Sequence, residues 1–240
     1  MPARGSLAHA LLYGWAGLTH VWTLLTLVAL FYFPVYLDSH ASRTPRPALP
    51  WVGMSIAVSL GPVDRLSRRI FEGDVGSCPR GLRAPARRAV TNLALWLVFS
   101  LWAPTGRVLW DAGPAWAGPT YFLYWLAAGL AGYALSVGDT GLGYFTGCAH
   151  VLEYARGAPP AVAGLRTRSL YRYSRHPALL SLLVSLWLTP VMTLDRLIWA
   201  AAMTCHAILC AAAADRRLET RFGDEFRSYR SRVPRWFSLG

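Results

Sequence analysis

Residues 177–215 read PALLSLLVSLWLTPVMTLDRLIWAAAMTCHAILCAAAAD, and this stretch decides the fold class. Two runs of 18 residues, Pro177–Leu194 and Leu197–Ala214, contain no Asp, Glu or Arg, and only Asp195 and Arg196 part them. Crossing the hydrocarbon core of a bilayer takes about 20 apolar residues, within a range of about 17–25. Each run qualifies by length, and at about 1.5 Å per residue each spans roughly 27 Å as a helix. The short turn around Thr193–Arg196 then makes the two helices antiparallel neighbours. Pro177 suits the first helical position, because its missing N–H would have no partner there.

Working outward, four further runs lack Asp, Glu and Arg: Gly5–Leu37 (33 residues), Pro47–Val63 (17), Ala89–Gly106 (18) and Ala112–Gly138 (27). A soluble helical protein can hide one or two such helices in its core. Six of them in 240 residues leave too little chain to cover the rest. The expected fold class is therefore all-α, a polytopic transmembrane helix bundle of five to six spans whose last two form a helical hairpin. Pro47–Val63 is the weakest span, with three prolines, and reads as a kinked or re-entrant piece. The first run follows Arg4, but it is longer than the apolar part of a signal peptide and no small-residue cleavage site precedes Asp38, so it reads as a retained helix. With no repeat or low-complexity linker, residues 1–240 form one expected membrane domain, divided into N-terminal helices (1–138) and a core (139–240).

The charge distribution supports this reading. The chain holds 24 basic and 12 acidic side chains for a net charge of +12, yet 54% of it is hydrophobic and 15% charged. A soluble domain has about a quarter of its residues charged. Every basic residue is Arg, a bias that a GC-rich genome produces. If all six runs span, twenty arginines share one side with both termini, and Arg43, Arg46, Arg107 and Arg196 lie on the other. Positive residues accumulate in cytoplasmic loops, which places both termini in the cytoplasm. Membrane lipid phosphates account for these arginines without nucleic acid. Trp102, Trp110 and Trp116 fall near the far ends of the third and fourth helices, where amphipathic rings anchor in the headgroup zone.

The chemistry-bearing residues are few. Cys78, Cys148, Cys205 and Cys210 form no CxxC pair, so free thiols are expected, with no metal site and no disulfide frame. His9, His20 and His206 lie in apolar runs, where a neutral imidazole bonded to a neighbouring helix is the expected state. The hairpin geometry returns Arg175 and His176, at the start of the fifth helix, to the side of Asp215, at the end of the sixth. A helix N-terminus with guanidinium groups beside it favours an anion such as a carboxylate. A salt-bridge cluster that only fixes topology is the alternative reading of the same residues. Beyond Asp215, Leu218, Phe222, Phe226 and Tyr229 recur at helical spacing, with Gly223 a predicted break. This basic amphipathic tail either lies on the membrane surface or folds under the bundle and closes a cytoplasmic pocket. The loop His150–Arg168 is the expected opposite wall.

LYRYSRHP at 170–177 and DRRLETRFGDEFRSYRSRVPR at 215–235 resemble the motif of the integral-membrane methyltransferases that include isoprenylcysteine carboxyl methyltransferases and phospholipid N-methyltransferases. Within that superfamily the chain is most similar to the bacterial methanethiol S-methyltransferases. The supporting residues are Arg166–Thr167, the Trp187–Thr193 turn, Ala84–Pro85 and Trp110–Asp111. The likeness is strong over about 135–240 and thin before it. It departs from the pattern at Leu179 and Ser181, where the family has Tyr and Gly after its RHP, and at Ala214–Asp215, where the family has two acids. The resemblance implies S-adenosylmethionine as cofactor, held by the segments 166–181 and 214–235, and a bacterial inner-membrane location. It implies cofactor binding by Tyr171, Arg172, Tyr173, Arg175, His176, Pro177, Asp215, Phe222 and Tyr229, with Arg175 and Asp215 as the catalytic pair. The implied acceptor is a small thiol such as methanethiol. An isoprenylcysteine or phospholipid acceptor, or a relative without activity, is the rival reading.

Overall fold

The computed structural model describes residues 7–39, 66–67, 69–70, 79, 82–102, 104–137, 141–158 and 164–237. The run Pro47–Val63 lies outside the described residues, as do His40 and Cys78. The helices, in chain order, are α1 (Leu7–Ser39), α2 (Arg83–Leu101), α3 (Pro114–Ser136), α4 (Gly141–Thr146), α5 (Cys148–Arg156), α6 (Pro177–Trp187), α7 (Leu194–Phe222) and α8 (Asp224–Arg232). Helix α1 and helix α7 are both long and apolar enough to cross a membrane, over Ala10–Ser39 and Leu194–Phe222. Helix α3 has 23 residues without a charge, but its Trp, Tyr, Gly and Pro residues dilute its hydropathy.

Two expectations need correction. The fold is mostly helical but not all-α: β1 (Val108–Asp111) pairs antiparallel with β2 (Val191–Thr193). The turn expected around Thr193–Arg196 is thus the junction where strand β2 ends at Thr193 and α7 begins at Leu194. The fifth run is also not one 18-residue helix, because α6 ends after 11 residues at Trp187. Pro190 explains both. It disfavours helical geometry at Thr189 and cannot donate a hydrogen bond itself, so the chain straightens and the Pro190 carbonyl accepts from Ala112 N at 2.9 Å. At about 1.5 Å per residue α6 covers roughly 16 Å, well short of a hydrocarbon core.

The core sits around this end of the bundle. Phe33 and Leu37 of α1, Val98 of α2, Trp102, Leu186 of α6, and Trp199, Ala200 and Met203 of α7 form one buried cluster. Phe33 lies at its centre, 4.9 Å from the Phe99 ring, 5.6 Å from Trp102 and 5.1 Å from Trp199. Trp102 is only 5% exposed and donates through Nε1 to Asp195 at 3.1 Å, so it is a core residue and not the headgroup anchor expected of it. Trp110 and Trp116 are exposed.

A buried ion pair stitches the same end together. Arg196 Nη1 lies 2.7 Å from Asp38 Oδ2, and both side chains are almost wholly buried. Arg196 also donates to the Leu188 carbonyl at 2.9 Å, one of the acceptors released where α6 stops. Thr189 and Tyr121 donate to Asp38 at 3.1 and 3.2 Å, and Tyr124 donates to the Phe31 carbonyl. Asp195, next to Arg196, accepts from Trp102, from Thr105 N at 2.9 Å and from Thr105 Oγ1 at 2.6 Å. The polar break between the two runs is therefore the knot that joins α1, α3, α6 and α7. At the other end His20 is hydrogen-bonded across to Thr146 of α4 at 2.8 Å, the bonded state expected for it.

Removing one member of a buried pair leaves the other charged, buried and unpaired, which costs about 3–5 kcal/mol. Arg196→Met is expected to lower the thermal unfolding midpoint in detergent sharply, and adding Asp38→Leu is expected to restore much of the loss. A single substitution that leaves the midpoint unchanged would show that the pair does not hold the helices.

Candidate functional site

The segment before α6 is shaped by its own backbone. After extended Arg168, a single 3-10 turn at Ser169–Arg172 lets the Leu170 carbonyl accept from both Tyr173 N (3.1 Å) and Ser174 N (3.2 Å). Ser174 Oγ then accepts from His176 N at 3.2 Å, and Pro177 opens α6 at its first position. This places Arg175 and His176 side by side at the helix start, with Arg175 8% exposed.

Helix α7 brings the carboxylate back. Asp215 is 4% exposed, about two turns short of the end of α7 at Phe222 on a helix that begins at Leu194. Its Oδ2 accepts from Arg175 Nη1 at 2.9 Å and Arg235 Nε at 3.0 Å, and its Oδ1 lies 2.8 Å from His176 Nε2. Gly223, with φ of +52°, turns the chain into α8, and the tail folds under the bundle, one of the two alternatives left open. Phe226, Tyr229 and Val233 are buried there, with Leu165, Leu218 and Phe222 packed on them. The tail is tied to the motif itself: Arg175 N donates to the Pro234 carbonyl at 3.1 Å, and Ser174 Oγ to the Arg235 carbonyl at 3.2 Å. Tyr229 OH donates to the Tyr171 carbonyl at 2.6 Å.

These elements enclose a cavity of about 380 Å³ lined by Arg175 and His176, by Arg166, Arg217 and Arg221, and by an apolar and aromatic wall that includes Tyr171, Leu218, Phe222 and Tyr229. Gly164–Arg166 forms part of the opposite wall expected from the loop before the motif; residues 159–163 lie outside the described ones. Of the residues singled out from sequence, Tyr171, Arg175, His176, Phe222 and Tyr229 meet at the cavity. Asp215 stands directly behind its wall. Arg172 and Tyr173 are exposed and point elsewhere, the Arg172 guanidinium lying 5.9 Å over the Tyr173 ring. Pro177 is buried at the helix start. Ala214 lines the cavity where the family pattern has an acid, while Leu179 and Ser181 do not line it. Sequence reasoning missed Arg166, Arg217 and Arg221 as lining groups and Arg235 as the third cation on Asp215. Arg217 and Arg221 lie about one and two turns after Ala214 on α7, a spacing that puts all three on one face.

Burial is the largest influence on His176 and lowers its pKa from the ordinary 6.5, partly offset by the hydrogen bond to Asp215 and that carboxylate's charge. Burial likewise lowers Arg175, against the opposing pull of Asp215, and pushes Tyr229 up to about 12. A neutral ring in this position carries its proton on Nε2, the nitrogen that faces the carboxylate.

No family model and no solved structure matches the chain. The chain is similar to curated proteins named methanethiol S-methyltransferase. It is 31% identical to one from Mycobacterium tuberculosis over 148 residues, 60% of this chain and 59% of that protein. It is 31% identical to one from Bradyrhizobium diazoefficiens over 145 residues, 59% and 50% of the two chains. It is 29% identical to one from Pseudomonas deceptionensis over 157 residues, 62% and 58%. The match spans between half and three-fifths of these relatives' own lengths.

A histidine whose folded pKa is depressed contributes stability that is present above its unfolded value, about 6.5, and lost as pH falls through the folded one. Stability is therefore expected to decline on acidification below about pH 6.5, and His176→Gln is expected to flatten that part of the profile. Thermal melts across pH 5–8 check it; parallel curves for parent and variant would exclude His176 as the source.

Proposed function

We propose that this chain is an S-adenosylmethionine-dependent membrane methyltransferase whose acceptor is a small thiol such as methanethiol. The observation that carries the reading is a cavity lined by Arg175 and His176, both held by the buried Asp215 behind its wall, in a chain similar to proteins named for that activity. The bundle sits in the bacterial inner membrane as a polytopic domain, with the arginine-rich end and both termini cytoplasmic. The cofactor enters from that side.

The residues fit such a cofactor. Arg175 Nε is buried and has no hydrogen-bond partner among the described residues, an orphaned donor on a group whose Nη1 is already fixed by Asp215. Arg175, with Arg166, Arg217 and Arg221, would hold a carboxylate, for which the planar guanidinium fork is suited. Tyr171, Phe222 and Tyr229 offer ring faces to a cationic sulfonium or a flat base. Asp215 touches the wall from behind, so its role here is to position Arg175 and His176.

S-adenosylmethionine supplies a methyl group already activated on a sulfonium sulfur, so the protein contributes alignment and dryness more than strong acid or base. The tail does the drying: Phe226 is fully buried and Tyr229 nearly so beneath the cavity. The arginines favour a thiolate by stabilising its negative charge.

Purified protein in detergent is expected to bind S-adenosylmethionine by calorimetry and to convert methanethiol to dimethyl sulfide. Arg175→Ala removes a charged hydrogen-bond donor worth about 1.5–3 kcal/mol, so affinity should fall roughly tenfold to a hundredfold. A parent protein that binds no cofactor, or binds it and methylates a prenylcysteine or a phospholipid amine instead, would overturn the reading.

A further inference from the structure

A small alkyl thiol is almost wholly protonated at neutral pH, since even a free cysteine has a pKa near 8.5. Nucleophilic attack needs the thiolate, so the S–H proton must go to something as the reaction proceeds. The cavity wall answers this narrowly. Its lining contains arginines, apolar groups, Tyr171, Tyr229 and His176, with no Asp or Glu among the lining residues. Arginine cannot serve as acceptor. Tyr229 and Tyr171 both use their hydroxyl protons on backbone carbonyls, at Tyr171 and Ala134. Asp215 has both oxygens engaged, one by two guanidiniums and the other by His176.

We propose that His176 is the proton acceptor for the thiol, with Asp215 as the residue that positions its ring; this rests on the thiol methyltransferase reading above. Asp215 Oδ1 at 2.8 Å from Nε2 fixes the proton there, which leaves the lone pair on Nδ1. Nδ1 makes no hydrogen bond among the described residues, and the ring that carries it lines the cavity. The ring's backbone is equally fixed, because His176 N donates to Ser174 Oγ and its carbonyl accepts from Leu180 N at 2.9 Å. The arrangement has the order of a base held by a third group.

In the step itself His176 Nδ1 takes the S–H proton. The thiol sulfur forms a bond to the methyl carbon as the sulfonium–methyl bond gives way, with that electron pair returning to the donor sulfur. A neutral methyl thioether leaves, and the imidazolium returns its proton to water. The charged and titratable groups around the ring are Asp215 on α7, Arg175 beside it and Arg235 from the tail. Across the cavity stand Arg166, Arg217, Arg221, Tyr171 and Tyr229. The guanidiniums resist accumulation of imidazolium and so favour its rapid discharge.

The test compares the full chain with His176→Gln, using ethanethiol and the more acidic 2,2,2-trifluoroethanethiol as acceptors, with cofactor binding followed by calorimetry. General-base assistance is worth about 10²–10⁴-fold. The variant is expected to keep cofactor binding within about tenfold, to lose about a hundredfold in kcat for ethanethiol and much less for the acidic thiol, and to recover rate as pH rises. Nitrogen-15 histidine spectra of the parent protein give a second readout that needs no variant, and are expected to show the Nε2–H tautomer at neutral pH. Equal losses for both thiols without recovery at high pH, or an Nδ1–H tautomer, would overturn the role while leaving the methyltransferase reading intact. A parent protein active on neither thiol would overturn the acceptor assignment, and this role with it.

Discussion

Asp215 is the constraint on which the basic end of the molecule depends. A carboxylate taken out of water costs several kcal/mol unless its charge is matched and its lone pairs are filled. Here both conditions are met by groups from two other segments: Arg175 and His176 from the start of α6, and Arg235 from the returning tail. None of these segments could move independently without uncovering a buried charge. The same contacts that satisfy Asp215 therefore fix the cavity's cationic wall, seat the tail under it and orient the His176 ring.

The far end is organised on the same principle with a different outcome. Arg196 and Asp38 are buried together and surrounded by Thr189, Tyr121 and the Leu188 carbonyl. This cluster does not open on the cavity where Arg175 and His176 stand. Two buried ion clusters thus serve two purposes: one holds helices together, and the other holds a cavity wall in place. What separates them is the neighbouring space, since in the first the wholly buried Arg196 guanidinium lies 5.5 Å from the Tyr124 ring while the second opens on an arginine-lined cavity.

Much of this was legible in the chain because charge is such a sharp marker in an apolar sequence. The uncharged runs locate α1, α2, α3 and α7, and the return of α7 to the start of α6 predicts the meeting of Arg175, His176 and Asp215. The tail stripe Leu218, Phe222, Phe226 and Tyr229 marked the buried face of α7 and α8. The misses share a physical cause. An uncharged run sets where a helix can be, not where it stops, and Pro190 stopped α6 well before the charges did. Trp102 was read by its position near a run's end, although its indole N–H had a buried acceptor in Asp195. Arg235 was invisible as a ligand of Asp215 because the tail's fold-back depends on contacts 20 residues apart.

Helix α7 carries both ion clusters, Asp195 and Arg196 at its first turn and Asp215 some 20 residues on, about 30 Å apart along a helix. That separation is close to the thickness of a hydrocarbon core. The helix is in effect a caliper: its two polar stops leave a fixed apolar length between them that no side-chain rearrangement can alter. A bilayer much thicker or thinner than that length would have to deform around the protein, or the helix would have to tilt against its neighbours. The membrane's own thickness is thereby linked to how squarely the tail sits beneath the cavity, since the lower jaw of the caliper is the carboxylate that holds the tail.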